Sequence, residues 1–317
     1  MIKLIAGALL LDFLVGDPKW FPHPVVIIGK LILWLEKRMG PMFKGSAGQY
    51  FAGVIMVFAV VGSAFFLTWQ LIFWSFKISY PLGWAVHLLL LYTVMAAKSL
   101  HKHARAVAEP LASGDITAAR GQLAKIVGRD TENLTPREVS RGAVETVAEN
   151  TVDGIIAPLF YAFIGGAPLA MAYKAINTLD SMVGYRDERY GKLGWASARL
   201  DDLANYIPAR ITGLIFLMIS PFTPGGLKGT YRAMIRDAGK HPSPNSGIPE
   251  SAVAGALRVQ LGGTNYYRGK VSHRALMGED IEMLGEKHIN QSIKLMYAVT
   301  LITTAMGIIL TILIKGV

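Results

Sequence analysis

Apolar residues in this chain come in long runs, separated by segments dense in charge. Residues 50–76, YFAGVIMVFAVVGSAFFLTWQLIFWSF, carry no charge, and Tyr50, Trp69 and Trp74 lie near the ends. A bilayer-spanning helix needs roughly 20 apolar residues, and aromatic residues favour its interfaces. Residues 78–97 form a second run, interrupted only by His87, and residues 295–314 a third, bounded by Lys294 and Lys315. Each predicts a membrane span. Two further runs contain helix breakers. Residues 155–172 hold Pro158 and the GGAP of 165–168; residues 207–222 hold Pro208, Arg210 and Pro221. Breakers are tolerated at membrane depth only where protein or a water-filled cavity covers the freed backbone. The first of these two runs can therefore be a re-entrant hairpin turning at Gly165-Gly166.

The N-terminus, MIKLIAGALLLDFLVGDP, is superficially like a signal peptide, but Asp12 interrupts it and no A-x-A-like site follows. It reads as retained. The pattern predicts an all-α, polytopic integral membrane protein in the cell membrane, one domain over 1–317. It has about four to six membrane segments, counting the re-entrant hairpin. Extramembrane helical loops are expected at about 98–150 and 225–293.

Composition supports this. Hydrophobic residues are 52% and charged residues 17% of the 317, and the mean hydropathy is +0.38. There is no cysteine, which excludes disulfides, thiolate nucleophiles and Cys-ligated metals. The formal charge is +10. In loops between spans this excess points to topology and to the lipid bilayer as partner, not to nucleic acid. Lys37, Arg38, Lys44 and the basic 98–150 segment then share the cytoplasmic side.

Within 98–150, TPRE (Thr135 to Glu138) is a capping box with proline at the first helical position. A helix is expected from about Pro136 toward Val152, with Val139, Ala143 and Val147 as its apolar stripe. Arg137, Arg141, Glu145, Glu149 and Asp153 recur every four residues on the other side. Two partly buried carboxylates roughly 6 Å apart repel by about 3 kcal/mol at an effective dielectric near 20. Such a stripe calls for Arg141 or a divalent cation as counterion, unless it is simply a solvated face.

The stretch YKAINTLDSMVGYRDERYGKLGWASARLDD, 173–202, concentrates charge between apolar segments. On a helix, Asn177, Asp180 and Ser181 share a face, and so do Asp201 and Asn205. Ionisable groups near bilayer depth, such as Lys174, Asp180 and Arg210, are usually functional; an interfacial loop with ordinary ion pairs is the plainer reading. Asp201-Asp202 alone is a weak version of a prenyltransferase-type DDxx(D/N) metal pattern. In GDPKWFPHPVVIIG, 16–29, prolines flank His23. In KHPSPNSG, 240–247, Lys, His, Ser and Asn sit on a Pro/Gly-fixed loop that can bind an anion or be an ordinary turn. Walker, dinucleotide-binding, HExxH and GxSxG patterns are absent.

Three blocks together, DFLVGDPKWFPHPVVIIGK, the continuous stretch from ETVAENTVDG to NYIPARIT, and RDAGKHPSPNSGIPESAVAGALRVQLGGTNYY, resemble the CobD/CbiB family of cobalamin biosynthesis. They occur in the family's order and cover about half of the chain directly. The resemblance implies an integral membrane amide ligase, adenosylcobinamide-phosphate synthase. Such an enzyme joins adenosylcobyric acid, at its f-propionate carboxylate, to the amine of (R)-1-amino-2-propanol phosphate or a related amino alcohol. ATP is a substrate, Mg²⁺ the cofactor, and the corrinoid a substrate rather than a prosthetic group. Other membrane-associated cobalamin-assembly enzymes are compatible partners, and oligomeric state stays open.

On that resemblance, Glu145, Glu149, Asp153, Asp180, Asp201 and Asp202 are the expected Mg²⁺ holders. Lys174, Arg186, Arg189 and Arg210 are expected to hold phosphates, with Arg141, Asn177 and Ser181 near them. Lys240, His241, Ser243 and Asn245 close over a second anion. His23 or Asp17 is the expected base, and Lys174 and Asp180 are counted with the catalytic groups. ATP places the site on the cytoplasmic side. The alternatives are an intramembrane prenyl or alcohol-phosphate transferase, whose full aspartate patterns are missing, and a non-enzymatic transporter or sensor.

Overall fold

The computed structural model describes residues 1–17, 23–43, 45–185 and 189–316. In chain order its helices are α1 (Ile2–Val15), α2 (Pro24–Met42), α3 (Gly45–Ile78), α4 (Tyr80–Tyr92), α5 (Ala97–Ala112), α6 (Ile116–Leu123) and α7 (Pro136–Thr151). After a π-helical turn, Val152–Ile156, come α8 (Ala157–Val183), α9 (Trp195–Ala204), α10 (Tyr206–Ile219), α11 (Gly226–Asp237) and α12 (Gly247–Leu257). A hairpin of β1 (Gln260–Tyr267) and β2 (Lys270–Gly278) precedes α13 (Glu286–Lys315). Among the described residues, by length and apolarity four helical stretches can cross a membrane: Gly45–Ile78, Tyr80–Ala112, Pro136–Val183 and Glu286–Ile314. A bent pair, Trp195–Ala204 with Tyr206–Phe222, makes a fifth if it is one span. The chain is thus the mostly helical, multi-pass membrane protein that the apolar runs predict.

Packing divides the chain into two compact units. The first comprises Met1–Ala96, Ala157–Asn205 and Gly307–Val317. Its long helix α3 buries a narrow stripe, including Ala52, Gly53, Met56, Val60, Ala64 and Thr68. Most of its large aromatic and leucine side chains point outward, with Phe58, Phe66, Leu67 and Trp74 all exposed. Small residues inside and large ones outside is the pattern of a helix that faces lipid.

The break predicted at Gly165-Gly166 is present. Gly165 has φ −137° and Gly166 φ 65°, ψ −157°, so α8 is two limbs joined at a turn. Tyr161 and Tyr173 stack with ring centroids 5.1 Å apart. On one straight helix their twelve-residue separation is a rise of roughly 18 Å; the chain therefore doubles back. The turn is held by His87, whose Nε2 accepts the Ala167 N–H at 3.2 Å. A Cβ on Gly166 would lie 3.0 Å from that nitrogen, so the position needs glycine for space as well as for its positive φ.

The second unit comprises Ala97–Ile156 and Tyr206–Met306. Here the sequence reading foresaw helices but not the hairpin. Tyr267 pairs with Lys270 across a two-residue turn, and Arg268 (φ 52°) and Gly269 (φ 76°) both have positive φ, as a tight hairpin turn with right-handed strand twist requires. Asp130 accepts the Arg268 and Gly269 N–H groups at 3.0 and 2.7 Å. Its own N–H donates to Tyr266 O at 2.8 Å. The 124–135 connection therefore clamps the hairpin tip.

Candidate functional site

Helix α7 begins as its sequence dictates. The Thr135 hydroxyl accepts the Glu138 N–H, Glu138 reaches back to the Thr135 N–H, and Pro136 opens the helix. Val139, Ala143 and Val147 are buried as expected. The opposite stripe is not a solvated face: Glu145 is only 3% exposed. Burying a carboxylate without a partner is very unfavourable, and this one is surrounded by donors. Arg129 Nη2 donates to its Oε2 at 2.5 Å, the Gly262 N–H donates to its Oε1 at 2.8 Å, and Arg141 Nε stands 3.8 Å from that same oxygen.

The guanidiniums are fixed in turn by the hairpin. Arg141 donates to Gly262 O at 2.5 Å, Thr264 O at 2.9 Å and Asn265 Oδ1 at 3.0 Å. Arg129 donates to the same Asn265 oxygen. Asn265 is fully buried. A register shift between Leu261 and Gly263 makes these contacts feasible. Gly262 and Gly263 have φ of 82° and 91°, and a Cβ on Gly263 would meet Arg141 Nη1 at 2.9 Å. Bulges of this kind re-aim backbone groups, often beside active sites.

Further along α7, Glu149 Oε1 accepts the Ser246 hydroxyl at 3.0 Å. Ser246 belongs to the Pro/Gly-rich loop, which leads into α12 as the sequence suggests. In that loop Ser243 N–H donates to His241 Nδ1 at 3.0 Å, and Arg210 Nη1 donates to Asn245 Oδ1 at 3.2 Å. His241 Nε2 lies 3.7 Å from Glu250 Oε1. Glu250 is 1% exposed, and neither of its carboxyl oxygens has a hydrogen-bond partner. Burial, with Glu145 and Glu149 nearby, pushes its pKa well above the usual carboxylate range. Burial and the Arg274 guanidinium hold the His241 imidazole below its ordinary value, against the pull of Glu149. A carboxyl whose pKa is raised thus faces an imidazole whose pKa is lowered, with its Nδ1 accepting from the backbone and its Nε2 turned toward Glu250.

The second unit therefore brings together Arg141, Glu145, Glu149, Arg210, His241, Ser243 and Asn245 of the expected residues. Asp153 follows them on the π-helical turn, a geometry frequent at functional sites. Lys240 turns instead to the buried Asp237, at 2.7 Å. Four participants were not foreseen: Arg129, Glu250, Asn265 and Arg274. Glu250 ends the HPSPNSGIPE segment and could have been found there as an acid three residues into a helix. The other signal was the hairpin pattern, the Arg268-Gly269 turn between Thr264, Tyr266 and Tyr267 on one side and Val271 on the other.

The first unit holds the rest. Asp201 Oδ2 accepts from Asn205 Nδ2 at 3.0 Å, and Asn205 Oδ1 accepts from Tyr173 OH at 2.8 Å. Asn177, Asp180 and Asp202 are close enough to act on Asp201 electrostatically. Lys174 and Ser181 lie on the same limb of α8, with Ser181 Oγ donating to Thr178 O. Arg189 pairs with Glu36 at 2.6 Å. His23 caps α2, its Nδ1 accepting the Val25 N–H, while its Nε2 stands 3.7 Å from Asp17. Arg186 lies outside the described residues. Among the described residues no three His, Asp or Glu side chains converge as a ready-made metal cluster.

The profile of the family described as CobD/Cbib protein matches residues 5–296. Cobalamin biosynthesis protein CobD of Geobacter metallireducens is 48% identical over 308 residues, 97% of this chain and 96% of that protein. The protein of the same description from Clostridium tetani is 46% identical over 93% of this chain and 92% of its own. Cobalamin biosynthesis protein CbiB of Salmonella paratyphi B is 42% identical over 95% and 94%. No solved structure matches the chain.

Proposed function

We propose that this chain, which belongs to the CobD/CbiB family of cobalamin biosynthesis proteins, is the ATP-dependent ligase that its sequence motifs suggest. It joins (R)-1-amino-2-propanol phosphate, or a related amino alcohol, to the f-propionate carboxylate of adenosylcobyric acid as an amide. The observation that carries this reading is the buried set of acids and guanidiniums around α7, the hairpin and the 241–246 loop. A carboxylate and an ammonium do not condense in water, so the carboxylate needs activation by a phosphoryl group, and that needs concentrated, preorganised positive charge.

Arg129 and Arg141 are locked by Glu145, Asn265 and the bulge, so they form a rigid wall. Arg210 and Arg274 stand nearer the loop and bind phosphate oxygens. The fit for Mg²⁺ rests on Glu250, a buried carboxyl whose oxygens lack hydrogen-bond partners, beside Glu149. Mg²⁺ characteristically takes one or two carboxylates and completes its shell with water and substrate phosphates. Glu149 and Glu250 would hold it; Glu145, already saturated by donors, would not. The ion supplies charge neutralisation on the transferring phosphoryl. His241 Nε2 stands 3.7 Å from the Glu250 carboxyl, and the Ser243 N–H fixes that imidazole.

The site belongs on the cytoplasmic side, where ATP is. The chain has no cysteine, so a single cysteine at exposed Arg137 reports its side by labelling in intact cells. The reaction itself is tested by incubating purified protein with adenosylcobyric acid, aminopropanol phosphate and Mg-ATP. Amide product with stoichiometric ADP is expected; neither product would refute the ligase.

A further inference from the structure

Away from the polar cluster, the second unit has a cavity that collects cations. Its volume is about 300 Å³, and its lining includes Lys228, Arg232 and Arg236 of α11, Arg258 at the end of α12, and Glu279. The three α11 residues recur every four positions and share a face. Four cations against one carboxylate leave a strongly positive concavity. Arg236 is spoken for, paired with Glu279 at 2.9 Å and with Asp237 at 2.8 Å. Lys228, Arg232 and Arg258 are exposed. Arg258 adopts φ 59°, uncommon for a non-glycine residue. Its carbonyl is held by the Ile281 and Glu282 N–H groups.

A second concavity shares helix α11 with the first and is its chemical opposite. Its lining includes Leu214, Leu217 and Met218 of α10, Leu227 of α11 and Met306 of α13, and none of its lining residues is charged. Its volume is about 410 Å³. Leu227 and Lys228 are consecutive, so one turn of α11 lines both spaces. Leu227, Tyr231 and Ile235 continue an exposed apolar row along that helix, and Phe222, just before it, is 93% exposed. Helix α10 belongs to a candidate span. An amphipathic helix at the end of a span, basic on one side and apolar on the next, lies at a bilayer surface.

We propose that cavity and groove together bind an anionic phospholipid, with the phosphate among Lys228, Arg232 and Arg258 and an acyl chain along the groove between α10 and α13. A soluble phosphate ester uses the cavity but has nothing for the groove. A zwitterionic lipid fills the groove but gains little from the cations. Basic pockets beside membrane helices select acidic head groups, with each Lys or Arg contributing about fivefold near the surface.

The test is native mass spectrometry of the full-length protein released from detergent, titrated with phosphatidylglycerol or phosphatidylcholine of equal chain length. Phosphatidylglycerol is expected to bind at least about tenfold tighter. Lys228→Gln/Arg232→Gln/Arg258→Gln should lower it to the phosphatidylcholine level and leave phosphatidylcholine unchanged. Lys228→Glu alone, a single change at an exposed position, should weaken phosphatidylglycerol by about fivefold or more. Leu214→Trp, which fills the groove, should weaken both lipids. An undiminished phosphatidylglycerol preference in the basic-site variants overturns the proposal, as does unchanged lipid binding in Leu214→Trp. Displacement of phosphatidylglycerol by inorganic phosphate or ATP at millimolar concentration also overturns it, by making this a site for soluble phosphates.

Discussion

Two carboxylates, one in each unit, are held by different partners. In the second, Glu145 is enclosed by guanidiniums and a backbone N–H. In the first, Asp201 rests on the amide of Asn205, itself held by Tyr173. A guanidinium supplies charge and a rigid fork of donors; an amide supplies only a dipole. The first arrangement welds three elements, α7, the 124–135 connection and the hairpin, into one body. The second leaves the charge of Asp201 to its surroundings, with Asp180 and Asp202 among them. The guanidinium-bound Glu145 is therefore architectural.

Removing one partner from each arrangement separates them. Glu145→Ala strands the buried Arg129 and should destabilise by about 3–5 kcal/mol, the range for breaking a buried ion pair. Thermal unfolding in detergent would show this as the largest loss of the series. Asp237→Asn comes next, at about 1.5–3 kcal/mol for lost charge-assisted bonds. Burial alone would raise the Asp237 pKa, but bonds from Arg236, Lys240 and the Gly278 N–H outweigh it and hold the carboxyl at about 2. Its folded pKa is thus depressed. Its stabilising contribution is present above the unfolded value near pH 3.9 and is lost as pH falls through about 2; the variant's unfolding should lack that acid-side dependence.

Gly166→Ala should cost about 1–2 kcal/mol, from positive φ and crowding against His87. Asp201→Asn should be mildest, within about 1 kcal/mol, because an amide at that position can still meet Asn205. An Asp201→Asn loss equal to that of Glu145→Ala would erase the contrast between the units.

How far the sequence foretold this differs by element. The charge-free run at 50–76 and the capping box at Thr135 lead directly to α3 and α7, because both depend on local patterns. The GGAP turn was also legible, since two glycines inside an apolar run leave few other conformations. The burial of Glu145 was not. It depends on Arg129 and Gly262, 16 and 117 residues away, and no periodicity along α7 reveals partners at that distance. The hairpin was missed because its two strands lie inside a segment read as helical, although the Arg268-Gly269 turn marks it. Glu250 was not singled out in the sequence. Only its enclosure, beside His241 and Glu149, makes it unusual.

Glu250 is where structure and chemistry meet most sharply. Its folded pKa is raised, so its stabilising contribution is full below the unfolded value near pH 4.3 and is lost as pH rises toward the folded value. Its burial beside His241, with no hydrogen-bond partner on either oxygen, is the feature on which its proposed Mg²⁺ role rests. The decisive measurement is Glu250→Gln, followed by amide ligation and by thermal unfolding between pH 5 and 8. The account predicts ligation reduced by about 100-fold or more in a protein that unfolds at a higher temperature than the parent at pH 8, the gap narrowing toward pH 5. Undiminished ligation, or a variant less stable than the parent at pH 8, would contradict it.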